Sequence, residues 1–464
     1  MKDTKISLIN LPRNSRYPQP PLGLASLAAV LEKEEFFSEI IDSNALNLSM
    51  DDIAEKTRNS DIVGISAMTP SINIAIILAK KIKELNPKAI VILGGPHPTI
   101  LPEDTLRKSE SIDLVIRGEG ENTILEVAKS IENKKSFNNI LGISYKLGNN
   151  IQNNPNRELI SDLDSLPFLA YHLLPLKKYK FHPPHGRKRA HMAMLTSRGC
   201  PYKCTFCSKS VFGDIPRYQS PNRIVNEIEY LYDNFNVREI DFYDDTFTLR
   251  KERVIEFTQE LKERNLDIEW TCEARVNLIN QVLLNAMQKS GCYLVSFGIE
   301  SGNQHILNTL NKKITLRQIR NAVEITHHAG IESVGYFMLG SPGETPDTIR
   351  NTIDFAKSLP LDYVQFSIAT PFPGTAFYDE YIKSHAISEN WEDFIYANLD
   401  SGKQPVFETE LLSKNDLSML NDQAYKEFYL RLSYFKQRIM SIHSLNDLRN
   451  NFGGAKMLIN MIRR

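Results

Sequence analysis

The chain has 464 residues, enough for about three domains, with 55 Lys+Arg against 56 Asp+Glu and a formal net charge of -1. This balance supplies no positive field for nucleic acid or anionic lipid, and no apolar run approaches the ~20 residues that span a bilayer. We therefore expect no nucleic-acid partner and no membrane span. No signal-peptide pattern precedes the strand-like run from Ile6 to Leu11, so the expected location is the cytoplasm. Three of the five cysteines fall within eight residues, which suits a metal site in a reducing compartment better than disulfides.

In chain order, short β-rich runs alternate with helical ones as far as about residue 132. The predicted strands are 6–9, 39–42, 61–66, 89–93 and 114–116. Apolar runs such as Val91 to Leu93 predict strands covered on both faces. Helical spacing covers 22–32, 50–58, 72–85 and 121–131, with Ser71 as the expected cap of the third. Five strands alternating with helices predict a doubly wound α/β domain.

Asn-rich turns flank Ile143-Ser144-Tyr145, and prolines follow at 155, 167, 175, 183 and 184. This pattern predicts a hairpin and then an irregular linker. Six strand-helix units follow, with strands at 193–195, 239–243, 268–271, 294–298, 333–338 and 363–367, which predict a partial barrel. From about 406 the chain is predicted helical, and residues 414–464 hold nine Lys+Arg against four Asp+Glu, read as a solvated helical face.

The segment Ser197-Arg198-Gly199-Cys200-Pro201-Tyr202-Lys203-Cys204-Thr205-Phe206-Cys207 sets three thiols at Cys-x3-Cys-x2-Cys spacing directly after a predicted strand. Such a loop can wrap three thiolates around a four-iron cluster and leave one iron open. The alternatives are a structural zinc completed by His191, or a redox pair from Cys204 and Cys207. Cys272 and Cys292 read as core thiols.

This spacing, with Phe206 before the third cysteine, resembles the radical S-adenosylmethionine (SAM) enzymes, and the resemblance covers about residues 190 to 400. It implies a [4Fe-4S] cluster on Cys200, Cys204 and Cys207, with SAM chelated at the open iron and cleaved to a 5'-deoxyadenosyl radical. The resemblance further implies that Phe206 flanks SAM and that Asp244 and Asp245, in Phe242-Tyr243-Asp244-Asp245-Thr246-Phe247, face its amino group. Arg275 suits the SAM carboxylate by its planar fork, and Glu300 suits ribose hydroxyls. Each has a plainer alternative, because adjacent acids solvate loops, Arg275 could pair with a core acid, and Glu300 could cap a helix. The turns Gly340-Ser341-Pro342-Gly343-Glu344-Thr345 and Thr370-Pro371-Phe372-Pro373-Gly374-Thr375 also look like this superfamily.

A doubly wound domain ahead of such a barrel resembles the cobalamin-binding domain of one subgroup, which holds the corrinoid at the strands' carboxyl ends. On that resemblance Ser66, Met68 and Thr69 after the third strand, with Gly94 and Gly95 after the fourth, face cobalamin. Small residues there let a bulky nucleotide approach the backbone. The Asp-x-His-x-x-Gly motif that supplies a cobalt ligand is absent, since Asp42-Ser43-Asn44-Ala45-Leu46-Asn47 stands in its place. His97, in a Pro-His-Pro turn, is not expected to replace that ligand.

The expected fold class is therefore α/β, with an N-terminal doubly wound, Rossmann-like cobalamin-binding domain (1–140), a hairpin and linker (141–190), a partial (β/α)6 TIM-type radical SAM barrel (191–405) and a helical C-terminal region (406–464). The expected function is a cobalamin-dependent radical SAM enzyme that methylates an unactivated carbon of a small-molecule or peptide intermediate. An external electron donor of flavodoxin or ferredoxin type would serve it. The same cofactors used for ring formation or rearrangement remain an alternative, as does a non-catalytic corrinoid sensor or carrier. An RNA-modifying methylthiotransferase fits poorly, because residues 1–199 hold no cysteine and the end is not a basic β-domain.

Overall fold

The computed structural model describes residues 2–13, 17–179, 187, 190–383, 391–394 and 407–440. Its first sheet comprises β1 (Lys5–Asn10), β2 (Phe37–Asp42), β3 (Ile62–Ser66), β4 (Ile90–Gly94), β5 (Leu114–Ile116), β6 (Ile143–Leu147) and β7 (Asn150–Asn153), in the spatial order β2-β1-β3-β4-β5-β6-β7. The first five are parallel, and the strand order reverses between β1 and β3. Along the strands, Ile6 and Leu8 join one core with helices Leu22–Lys33 and Glu121–Glu132, while Ile9, Val63 and Ile65 join another with helices Met50–Lys56 and Ile72–Leu85. This alternation is what a sheet buried on both faces requires.

Two expectations change here. The hairpin does not stand apart from the first domain: β6 pairs antiparallel with β5, and β7 with β6, so the sheet has seven strands. Its short outer strand is mostly polar and exposed, which protects the open edge. Ser71 does not cap the helix after it, because its hydroxyl donates to the Met68 carbonyl and accepts from the Met68 amide. Pro183, Pro184 and the predicted helical end at 441–464 lie outside the described residues.

The second sheet is all parallel and runs in chain order through β8 (His191–Met194), β9 (Glu239–Phe242), β10 (Glu269–Ala274), β11 (Cys292–Glu300), β12 (Glu332–Leu339) and β13 (Tyr363–Ile368). Helices connect successive strands, giving the six-unit partial barrel. Phe242 and Phe247 stack on each other, and Phe257 and Trp270 pack edge-on against Phe242 beneath its first turns. The edge at β13 is closed by side chains of the helix Lys414–Tyr429. Tyr425 Oη accepts from the Phe366 amide and donates to the Phe366 carbonyl, both at 3.0 Å. Tyr429, one helical turn on, does the same at Val364, so two phenols satisfy backbone groups that a seventh strand would otherwise pair.

Candidate functional site

The cysteine loop leaves β8 through a two-residue ribbon, Ser197–Arg198 paired antiparallel with Arg217–Tyr218. Gly199 then turns at φ +86°, where a Cβ would lie 2.6 Å from the Ile215 carbonyl oxygen, so only glycine fits. Further along, the Thr205 amide donates to the Leu310 carbonyl at 3.1 Å, the Thr205 carbonyl accepts from the Phe377 amide at 2.9 Å, and Asn311 Nδ2 donates to the Lys203 carbonyl at 2.6 Å. Cys200 and Cys204 are half-buried and Cys207 is exposed. Burial nevertheless leads the causes that push the Cys207 thiol up to about 11, followed by Asp245, Cys204 and Cys200, with Lys312 opposing. The chemistry of the donor set fits a polynuclear cluster, because one loop braced on both sides carries three free thiols. His191 starts β8 at the end away from the loop, so the zinc reading loses its fourth ligand.

The strand-end residues divide into two kinds. Asp244 is fully buried and accepts from the Thr196 amide at 3.1 Å, the Thr196 hydroxyl at 3.0 Å and the Ser197 hydroxyl. Arg253 completes this network through Thr196. Asp244 therefore anchors the cysteine loop to β9 from within. Asp245 beside it is exposed, yet burial by surrounding protein raises its carboxyl, with Asp244 adding to the rise and Lys209 opposing.

Arg275, at the end of β10, is nearly buried, with Nη1 3.6 Å from Cys204 Sγ, Nη2 donating to the Lys312 carbonyl, and the guanidinium 3.7 Å from the Tyr202 ring centre. Glu300, at the end of β11, has φ +69° where the pairing with β12 shifts register. It accepts from Lys312 Nζ at 2.5 Å, and that ammonium lies 5.6 Å from the Phe206 ring centre. Phe206, Arg275 and Glu300 thus meet around Lys312. Sequence reasoning missed this lysine, because nothing in its turn, Asn311-Lys312-Lys313, marks it as buried.

In the first domain, the loops after β3 and β4 come together at the strands' carboxyl ends. The Ala67 amide donates to the Gly94 carbonyl at 2.8 Å, and Gly95 turns at φ +99° with its missing Cβ 2.8 Å from the Ala67 carbonyl oxygen. Ser66, Met68, Thr69, Gly94 and Gly95 therefore share one rim, next to the β1/β3 reversal where α/β sheets hold ligands. After β2, Asp42 accepts from Asn10 Nδ2, the Ala45 amide and Tyr179 Oη, while the buried Ser43 Oγ and Asn44 Oδ1 find no partner among the described residues. A cradle of small residues beside unused polar atoms fits a large, amide-rich group such as cobalamin. His97 Nδ1 lies 3.1 Å from the Thr69 hydroxyl and its ring packs 5.2 Å from that of Trp391, and burial pushes its pKa down to about 4.

The carboxyl ends of both sheets face each other. Tyr243, after β9, donates to Gln19, after β1, at 2.8 Å, and Gly374, after β13, meets Ile100, just beyond β4. Residues 194–356 match the radical SAM superfamily and residues 12–128 the B12 binding domain. An uncharacterized methyltransferase of Pyrococcus horikoshii is 39% identical over 454 residues, covering 96% of each chain. The anaerobic magnesium-protoporphyrin IX monomethyl ester cyclase of Rubrivivax gelatinosus is 28% identical, covering 90% of this chain and 75% of its own. The cobalamin-dependent SAM radical enzyme OxsB, solved with aqua-cobalamin and SAM, superposes with a TM-score of 0.75 at 17% identity, covering 98% of this chain and 71% of its own. No described helix is long and apolar enough to cross a membrane. The chain belongs to the cobalamin-binding radical SAM enzymes, and its cofactors are those of that family: a [4Fe-4S] cluster, SAM and cobalamin.

Proposed function

We propose that the chain methylates an unactivated carbon of a small-molecule or peptide intermediate. The observation that carries this reading is the opposition of the two sets of strand ends, bridged by Tyr243 and Gln19, in a chain whose 39%-identical relative bears the name of a methyltransferase. Bound together, the cofactors supply a 5'-deoxyadenosyl radical for hydrogen abstraction and a methyl group for transfer. Cys200, Cys204 and Cys207 would hold the cluster. The accessible carboxylate of Asp245 would accept from the SAM ammonium. Arg275 steadies the loop through Cys204 and Lys312, and its cationic fork would pair with the SAM carboxylate. Glu300 and Phe206, set by Lys312, would line the nucleoside end. Ser66, Met68, Thr69, Gly94 and Gly95 would flank cobalamin. A flavodoxin- or ferredoxin-type donor in the cytoplasm would deliver the electron.

A second reading, ring formation with the same cofactors, is favoured by the cyclase among the relatives. Reduced protein given its substrate and methyl-labelled SAM separates the two. Methyl transfer yields 5'-deoxyadenosine, S-adenosylhomocysteine and labelled product in near-equal amounts. Formation of 5'-deoxyadenosine without S-adenosylhomocysteine or added label refutes methyl transfer and leaves ring formation.

A further inference from the structure

A buried cluster of four charges joins the first domain to the base of the cysteine loop. Arg198 and Arg217 form the rung that closes this loop, and both reach the same carboxylate, Glu119, just beyond β5. Arg198 Nη1 donates to Glu119 Oε1 at 2.9 Å, Arg217 Nη1 to Glu119 Oε2 at 2.8 Å, and Arg198 Nη2 to Glu121 Oε1 at 2.6 Å. The Ile160 amide donates to Glu119 at 2.6 Å, and the Ser26 hydroxyl to Glu121 at 2.7 Å. The four side chains retain only 3–11% exposure. Two cations and two anions balance, so removing one carboxylate strands a buried guanidinium.

The cluster also continues toward the rim assigned to cobalamin. The Thr99 amide donates to the Gly95 carbonyl at 3.1 Å, and the Thr99 hydroxyl accepts from the Gly118 amide at 3.0 Å. Gly118 precedes Glu119, and Arg198 precedes Cys200 by two residues. A continuous run of hydrogen bonds and short peptide links therefore leads from Gly95 through Thr99, Gly118, Glu119 and Arg198 to the first cysteine.

We propose that Glu119 is a positioning residue that couples the two cofactor sites: through Arg198 and Arg217 it fixes the base of the cysteine loop against the Gly95 rim, so that filling one site changes affinity at the other. A residue that merely held the fold together would change stability without linking the sites. The inference rests on the cysteine and Gly95 assignments above, and its test reads binding, so it can fail while methyl transfer stands and the reverse.

By linkage, coupling of the usual size appears as a roughly 5- to 150-fold change in the affinity of one ligand when the other is present. The experiment titrates hydroxocobalamin into the full chain, anaerobically, with and without a reconstituted cluster. For the unsubstituted protein the ratio of the two dissociation constants should be about 5 or more. Glu119→Gln and Thr99→Val should bring it near 1, while Glu110→Gln, which alters an exposed ion pair with Lys146, should leave it unchanged. Thr99→Val decides the matter if Glu119→Gln does not fold. A ratio near 1 in the unsubstituted protein, or an undiminished ratio in the folded Glu119 or Thr99 variants, overturns the proposal.

Discussion

Gly199→Ala tests whether the cysteine loop depends on its backbone. A side chain at φ +86° carries strain of about 1–3 kcal/mol. The new Cβ would also lie 2.6 Å from the Ile215 carbonyl oxygen and 3.0 Å from that of Phe212, and relieving such overpacking costs about 1–3 kcal/mol more. Both obstructing atoms are backbone and belong to the same loop, so the loop yields while the barrel does not. A total near 4 kcal/mol shifts the loop's closed-to-open ratio by roughly 10³. We expect iron per chain after anaerobic reconstitution, the cluster's absorbance and SAM cleavage to collapse while far-ultraviolet circular dichroism stays native. Gly330→Ala is the control, since Gly330 has φ +74° but nothing within 4 Å of the added Cβ; it should cost strain alone and keep the iron. A Gly199→Ala protein with full iron and unchanged stability refutes the reasoning.

Cys204→Ala should abolish the cluster and SAM cleavage, whereas Cys272→Ala and Cys292→Ala, buried on neighbouring strands, should keep iron per chain at the level of the unsubstituted protein. Asp245→Asn should weaken SAM binding in equilibrium dialysis by about tenfold with little change in unfolding midpoint; Asp244→Asn should instead lower the midpoint, since a buried hydrogen-bonded carboxylate contributes about 1.5–3 kcal/mol per bond. His97 is neutral in the fold down to about pH 4 but charges near pH 6.5 when unfolded, so the unfolded state binds more protons between these values. Stability then rises with pH across that window by about 3 kcal/mol. His97→Phe should flatten the dependence of the urea midpoint between pH 7 and pH 5, and equal slopes would refute this.

The parallel strands were legible because burial on both faces writes itself as continuous apolar runs, and the cysteine loop because its three ligands are local. The hairpin's membership of the first sheet was not legible. Its residues specify a turn and two short strands, while its partner, β5, lies some thirty residues upstream. Asp244 and Asp245 show the same limit at finer scale. Adjacent on the chain and identical in type, they differ only in which one meets Thr196 and Ser197, and those residues belong to another strand end. Lys312 and Glu119 carry no local signal, because a buried charge is identified by its counter-ion across the fold. Nor was the closure of β13 by Tyr425 and Tyr429 visible, since their spacing of four marks a helix face and says nothing of what that face covers.

The two sets of strand ends are held at a fixed separation by unlike junctions. Behind them the linker packs into the same apolar core as β1 and β8, through Tyr171, Leu174 and Tyr179 beside Ile6 and Met192. Tyr171 Oη and the Leu169 amide both donate to the buried Glu227. Domains joined only by polar, solvated contacts swing by default, but swinging here would expose those aromatic faces and unpair Glu227 and Glu119 together. At the rim, Gly374 meets Ile100 and His97 packs against Trp391, but loop 17–21 is tied to Tyr243 by a hydrogen bond between half-buried groups, which opens at a cost of about 1 kcal/mol. Access to the space between the strand ends therefore comes from rearranging the rim loop 17–21, while the frame that sets the spacing of the two cofactor sites stays intact.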